Sequence, residues 1–215
     1  MSRVVSVNVS GDGSDTGIDK RPVTEPVRVS APGPLGTGGS GLAGDVIKDL
    51  RYHGGDDQAV YAYAREDLDE WAAQLGRTLT PGMFGENLTT AGLDVTGAKI
   101  GERWRIGDDV VLEVSAPRTA CRVFAKWLGE KQWVKRFTLH GKPGAYLRVI
   151  EPGEIRAGDP VTVVSRPAHD VTVGFAFRAL LREPELLPEL VVAEALPGPE
   201  LRRARKAAGG RPGGA

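Results

Sequence analysis

Val110-Val111-Leu112-Glu113-Val114-Ser115-Ala116-Pro117-Arg118-Thr119-Ala120-Cys121-Arg122-Val123-Phe124-Ala125-Lys126-Trp127-Leu128-Gly129 carries two apolar periods joined at a proline. Val110, Leu112 and Val114 alternate with period two, as a half-buried strand does, and the alternation stops at Pro117. A helix-like run then passes through Phe124, Ala125 and Leu128 and ends at Gly129. The stretch predicts a strand feeding a short helix, with Cys121 in the helix's first turn. Cys121 is the only cysteine in the chain. It has no partner for an internal disulfide, so it is either inert packing or chemistry. Arg118 and Arg122 lie within three residues of it. Together with the unpaired N–H groups of a helix start, they favour a thiolate over a thiol. A buried structural cysteine is the competing account.

Outward from this stretch, most of the sequence predicts short strands separated by turn residues. Met1–Val9 alternates, and Pro26–Ser30 and Val46–Leu50 are two further strand candidates around the Gly/Pro-rich loop 31–44. Val60, Ala64, Leu68, Trp71 and Leu75 fall at helical spacing, with Asp56 or Asp57 to cap the helix and Gly76 to end it. Lys99–Ile106 and Val110–Ser115 flank Gly107-Asp108-Asp109 as a hairpin. Lys131–His140 predicts a helix, and Ala145–Ile150 and Val161–Ser165 the last strands. Many short strands with few helices favour a closed or nearly closed barrel over a layered α/β sheet. Beyond Pro167 the period becomes helical. Asp170 is the expected cap of a helix through Phe175 and Leu181, followed by helices over Glu185–Ala195 and Pro199–Ala208. The expected division is a barrel over 1–166, a helical appendage over 167–208 and a disordered tail over 209–215.

The 215 residues, 40% of them hydrophobic, suffice for a full core. With 28 basic and 28 acidic residues, no global field draws in nucleic acid or an anionic membrane. The start of the chain has no signal-peptide pattern, no run is long enough to span a membrane, and cysteine is scarce. These features predict a cytoplasmic, soluble protein.

Several motifs invite a site, and each has a plainer account. Gly36-Thr37-Gly38-Gly39-Ser40-Gly41 lacks the Gly-Lys-Ser/Thr ending of a phosphate loop and is better explained as a surface loop. His53, His140 and His169 are far apart and show no zinc-ligand spacing. His53 sits on a Gly54-Gly55 turn, from which a side chain can point into a pocket. Gly85-Glu86-Asn87-Leu88-Thr89-Thr90 offers backbone N–H groups, an amide and hydroxyls suited to a phosphate-bearing ligand. Arg202, Arg203, Arg205 and Lys206 are best explained as a solvated helix face, since no aromatic residue accompanies them. Trp127 and Trp133 are expected to pack the core.

Taken in order, these pieces resemble the MOSC domain, the fold of the C-terminal part of molybdenum cofactor sulfurases. The matching segments are 17–23 (Gly-Ile-Asp-Lys-Arg-Pro-Val), 42–45 (Leu-Ala-Gly-Asp), 53–63 from His-Gly-Gly to Tyr63, and 84–92 around Gly-Glu-Asn-Leu-Thr-Thr. Pro117-Arg118-Thr119-Ala120-Cys121, Gly144–Val149 and Gly158-Asp159 complete the set. The helical tail is similar to that of the bacterial branch linked to 6-N-hydroxylaminopurine resistance. The resemblance implies a mainly β, α+β fold, a MOSC-type β-barrel with a small three-helix appendage, and a molybdenum cofactor. It implies Cys121 as catalytic residue and molybdenum ligand or sulfur carrier, with Lys20, Arg21, His53, Asn87, Thr89, Arg118 and Arg148 as cofactor-binding residues. The implied activity is reduction of N-hydroxylated bases and related compounds, a detoxification. A separate reductase would supply electrons, because the chain has no flavin, haem or iron–sulfur motif. No nucleic-acid or membrane partner is expected, and pairing of two copies stays open. Two alternatives also remain: a sulfur carrier holding a Cys121 persulfide, and a non-catalytic small-molecule binding module.

Overall fold

The computed structural model describes residues 1–11 and 13–209. In chain order the elements are β1 (Arg3–Val9), β2 (Arg21–Val23), β3 (Val27–Val29), β4 (Val60–Ala64), α1 (Arg65–Leu75) and β5 (Leu88–Ala91). Then come β6 (Arg103–Ile106), β7 (Val110–Pro117), α2 (Arg122–Leu128), α3 (Trp133–His140), β8 (Ala145–Glu151), β9 (Gly153–Ile155), β10 (Val161–Ser165), α4 (Val173–Leu181) and α5 (Gly198–Gly209). Short 3₁₀ segments cover Asp56–Gln58 and Pro184–Val192. The result is a mixed α and β protein built on one large sheet.

Eight strands form that sheet in the order β10-β6-β7-β8-β4-β5-β1-β2, and β3 pairs with β9 in a second, two-stranded sheet. The β6–β7 hairpin lies where the sequence places it, with Trp104 opposite Leu112 and Ile106 opposite Val110. β4 and β5 run parallel, which requires a crossover, and α1 supplies its helix. Strand pairing does not close the expected barrel. β10 and β2 are the two ends of the ladder. β1 meets the chain entering β10 at an Arg3–Pro160 bridge, flanked by hydrogen bonds of 2.9 Å from the Gly158 N–H to Val4, the Val4 N–H to Asp159 and the Val161 N–H to Ser2, but no continuous ladder joins the two strands.

Several expected elements differ. The run from Val60 to Leu75 is two elements, because Val60–Ala64 is buried on both faces as a strand between β5 and β8. Val46–Leu50 is loop rather than strand: the Val46 N–H bonds back to the Ser10 carbonyl, and no ladder forms there. Asp170 does not cap α4. Thr172 does, its hydroxyl accepting from the Phe175 N–H at 3.0 Å. Trp133 is buried as expected, but Trp127 is 39% exposed because it lies on the outer side of α2.

The inward faces of the sheet, including Val4, Val7, Trp104, Leu112, Val114 and Leu147, form the main core. Val173, Ala176, Leu187, Leu190 and Ala204 of the C-terminal helices, with Leu196 from the connection before α5, bury themselves in that same core. Of the expected disordered tail, Gly209 closes α5 and the rest lies outside the described residues. A second, aromatic cluster ties α1, α2 and α3 together, with Trp71 and Trp133 rings 4.5 Å apart and Phe124 5.3 Å from Trp133. It backs the segment that carries Cys121.

Candidate functional site

The strand-to-helix junction read from the sequence is present. β7 ends at Pro117, and Cys121 is the N-cap residue of α2 with extended backbone angles, its carbonyl accepting from the Ala125 N–H. The thiol opens into a cleft of about 240 Å³ lined by Lys20, His53, Tyr61, Asn87, Arg118 and Tyr146 among others. Five of the expected site residues, Lys20, His53, Asn87, Arg118 and Cys121, therefore meet in one place, although they span a hundred positions of sequence.

Arg118 forms part of the cleft wall and is only 7% exposed. Its guanidinium donates to the Phe84 carbonyl and stacks over the Tyr61 and Phe124 rings at 4.7 and 4.4 Å. Among the described residues it has no carboxylate partner. An always-charged group buried without a counter-ion is costly, so the cleft is prepared for an anion. The cation's remaining N–H donors form a fork that suits phosphate or carboxylate.

Lys20 is held differently. Its ammonium pairs with Asp45, whose side chain is fully buried. Burial pulls the lysine below its ordinary pKa, and the attraction of Asp45 offsets only part of that. Asp45 also accepts from the Ser10 N–H at 2.9 Å and from the Asn87 amide at 2.8 Å. Asn87 in turn accepts from the Tyr61 N–H at 3.1 Å, which locks its amide between β4 and the cleft. His53 stands exposed at the rim. Burial of part of its ring, and then the Arg118 charge, hold it below its ordinary 6.5, so it is neutral at pH 7.

Three expected ligands lie elsewhere. Arg21 is out in solvent on β2, paired with Asp19 at 3.0 Å. Arg148 is engaged by Asp57 at 2.6 Å and Glu113 at 3.2 Å, because its strand turns it toward those carboxylates rather than the cleft. Thr89 is fully buried, donating to Glu86 at 2.9 Å and accepting from Asn8 at 3.1 Å.

The Gly-Glu-Asn segment acts mainly as scaffold. Glu86 is fully buried and accepts from the Gly82 N–H at 2.6 Å and the Phe84 N–H at 3.0 Å, so it braces the turn that presents Gly85 and Asn87. Burial pushes its carboxyl above the ordinary range, and these donors pull back only in part. Gly82 permits the turn: its φ is +85°, and a Cβ there would lie 2.3 Å from the Lys20 carbonyl oxygen. Gly82→Ala should therefore destabilise the protein by about 2 kcal/mol or more, read as a lowered urea midpoint. Asp45, Tyr61, Tyr146 and Glu86 were not read as site residues from the sequence. Each did carry a signal, since Asp45 stands in segment 42–45, Tyr61 in 53–63, Glu86 in 84–92 and Tyr146 in 144–149, all of which carry the family resemblance.

Comparison with known proteins places this cleft in a family. The MOSC domain profile matches residues 49–162, which include His53, Asn87, Arg118 and Cys121. YflK of Bacillus subtilis (strain 168) is 35% identical over 178 residues, covering 83% of this chain and 76% of that protein. A protein named Reductase from Gibberella moniliformis is 32% identical over 138 residues, which are 63% of this chain but 24% of that protein. The crystal structure of YiiM from Geobacillus stearothermophilus superposes with a TM-score of 0.79 at 27% identity, covering 96% of this chain and 99% of that one. With its strand-to-helix cysteine, its buried cleft arginine and this match over more than half its length, the chain belongs to the MOSC domain family.

Proposed function

We propose that the cleft binds a molybdenum cofactor beside Cys121 and that the protein reduces N-hydroxylated nucleobases or related N-oxygenated compounds. The observation that carries this reading is the pairing, in one cleft, of a lone thiol with a buried guanidinium that lacks a carboxylate. Among the described residues no group of three His, Cys, Asp or Glu side chains could hold a metal. A metal seated here must bring most of its own ligands, as a pterin-borne dithiolene does, and take one soft sulfur from the protein. Arg118 would hold the cofactor's phosphate, and Asn87 and Lys20 would fix its polar edge. The reaction, R–NHOH + 2e⁻ + 2H⁺ → R–NH₂ + H₂O, needs two electrons from a separate reductase. The bound cofactor supplies the two-electron chemistry, and the protein supplies position and charge. Neutral His53 at the rim can exchange a proton with an entering substrate. The name of the Gibberella protein agrees in reaction class.

The test is expression in a host competent for cofactor synthesis, followed by metal analysis and an N-hydroxylaminopurine reduction assay. Close to one molybdenum per chain together with turnover supports the proposal, and metal-free, inactive protein from such a host sinks it. Mass spectrometry of Cys121 separates the sulfur-carrier alternative, which requires an added sulfur and no turnover. Arg118→Ala should lower molybdenum occupancy, because a charge-assisted hydrogen bond contributes about 1.5–3 kcal/mol, roughly ten- to hundredfold in affinity. Occupancy equal to wild type in that variant would show that the guanidinium does not hold the anion.

A further inference from the structure

We infer that α2 and the start of α3 form the docking surface for an acidic electron-carrier protein, an inference that rests on the reductase function proposed above. Seven of the 28 basic residues and one of the 28 acidic residues fall between Arg118 and Lys142, in a chain with no net charge. Three of the seven are engaged: Arg118 is buried in the cleft, Arg136 pairs with Glu130, and Lys142 pairs with Asp67 and Glu70. Arg122, Lys126, Lys131 and Lys135 are exposed, and none has an ion pair among the described residues.

Arg122 and Lys126, four positions apart, share one side of α2, and Val123 and Trp127 share the side next to it. Val123 is 43% exposed and Trp127 39%. The Trp127 indole N–H donates to the Met83 carbonyl at 2.9 Å, which fixes the ring at the surface. Val134 of α3 is also exposed. Apolar side chains bordered by unpaired cations suit a transient protein interface whose partner presents carboxylates. Helices of seven and eight residues offer an anionic bilayer little continuous apolar face, and one exposed indole is a poor stacking platform for nucleic acid.

The placement suits electron delivery. Val123 lines the cleft and Cys121 caps α2, whose seven residues span only about 10 Å. A carrier seated on this face therefore lies beside the cleft mouth.

The test uses the cofactor-loaded protein, a reduced acidic [2Fe–2S] ferredoxin as probe, and reduced methyl viologen as a small donor that needs no docking. Wild type should bind the ferredoxin with an affinity that falls as salt is added. The triple variant Lys126→Glu, Lys131→Glu, Lys135→Glu should lose on the order of tenfold or more in ferredoxin affinity and ferredoxin-driven rate. Its viologen-driven turnover and unfolding temperature should match wild type. The corresponding triple Gln variant should show a smaller loss, which guards against misfolding of the Glu variant. Equal ferredoxin binding by wild type and the Glu variant would overturn the inference. So would salt-insensitive binding by wild type, or tighter binding of phosphatidylserine vesicles or single-stranded DNA through the same lysines. If the variant loses ferredoxin binding while loaded wild type turns over with neither donor, the docking surface stands and the reductase proposal fails.

Discussion

Cys121→Ser should abolish molybdenum retention and turnover while leaving thermal unfolding close to that of wild type. The side chain is half-exposed at the cleft, so a similar-sized hydroxyl disturbs little packing, and stability should change by no more than about 0.5 kcal/mol. The chemistry changes far more, because an oxygen barely ionised at neutral pH replaces a soft sulfur. Changes one layer outside a metal's ligands already cost roughly 10–100-fold, so loss of the proposed ligand should lower turnover by about 100-fold or more. Metal analysis, turnover and an unfolding curve on the same preparation check this. A cysteine that only packs the core predicts the reverse: a loss of about 1 kcal/mol in stability with activity retained. Iodoacetamide gives a second measure. It should alkylate Cys121 faster in cofactor-free protein than in loaded protein, since a bound metal occupies the sulfur lone pair.

Asp45→Ala should be among the most destabilising single substitutions, at about 3–5 kcal/mol, because it leaves the buried Lys20 ammonium without its counter-charge. Lys20→Met in the same background should restore most of that loss by removing the orphaned charge. If the double variant is as unstable as Asp45→Ala alone, the loss comes instead from the bonds to Ser10 and Asn87. The pH dependence has a definite sign. Burial pulls the Asp45 carboxyl upward, but the Lys20 charge and the hydrogen-bond donors outweigh it and hold the group below its ordinary 3.8. Its contribution is therefore present above 3.8 and is lost as pH falls through the lower folded-state value. Urea midpoints of wild type and Asp45→Ala should converge on acidification below about pH 4, and a gap that stays constant there would rule out this assignment.

Local pattern was enough wherever an element is amphipathic and bounded by a breaker. The β6–β7 hairpin, β8, α3 and the α2 start at Cys121 all follow from apolar period plus Gly or Pro. It failed where burial is two-sided or the element is very short. Val60-Tyr61-Ala62-Tyr63-Ala64 shows no in–out alternation because both of its faces are covered, so helical spacing through Leu68 and Trp71 absorbed it. β2 and β9, three residues each, carry too few positions to show a period and exist through their partners, β1 and β3. Val46–Leu50 has strand-like residues but pairs with no strand among the described residues.

The site divides along the same line. From sequence alone came the lone thiol at a strand-to-helix junction, the adjacent arginine and the Gly-Glu-Asn turn, because these depend on neighbours a few bonds away. Which charges are free was decided only by the tertiary structure. Lys20 is joined to Asp45 across 25 positions and Arg148 to Asp57 across 91, whereas Arg118 is buried with no carboxylate partner among the described residues. Ion pairing depends on distance through space, which only the folded chain sets, so no spacing rule along the chain could assign those partners. Folding paired Lys20 and Arg148 with carboxylates and left Arg118 buried in the cleft wall with no carboxylate partner among the described residues.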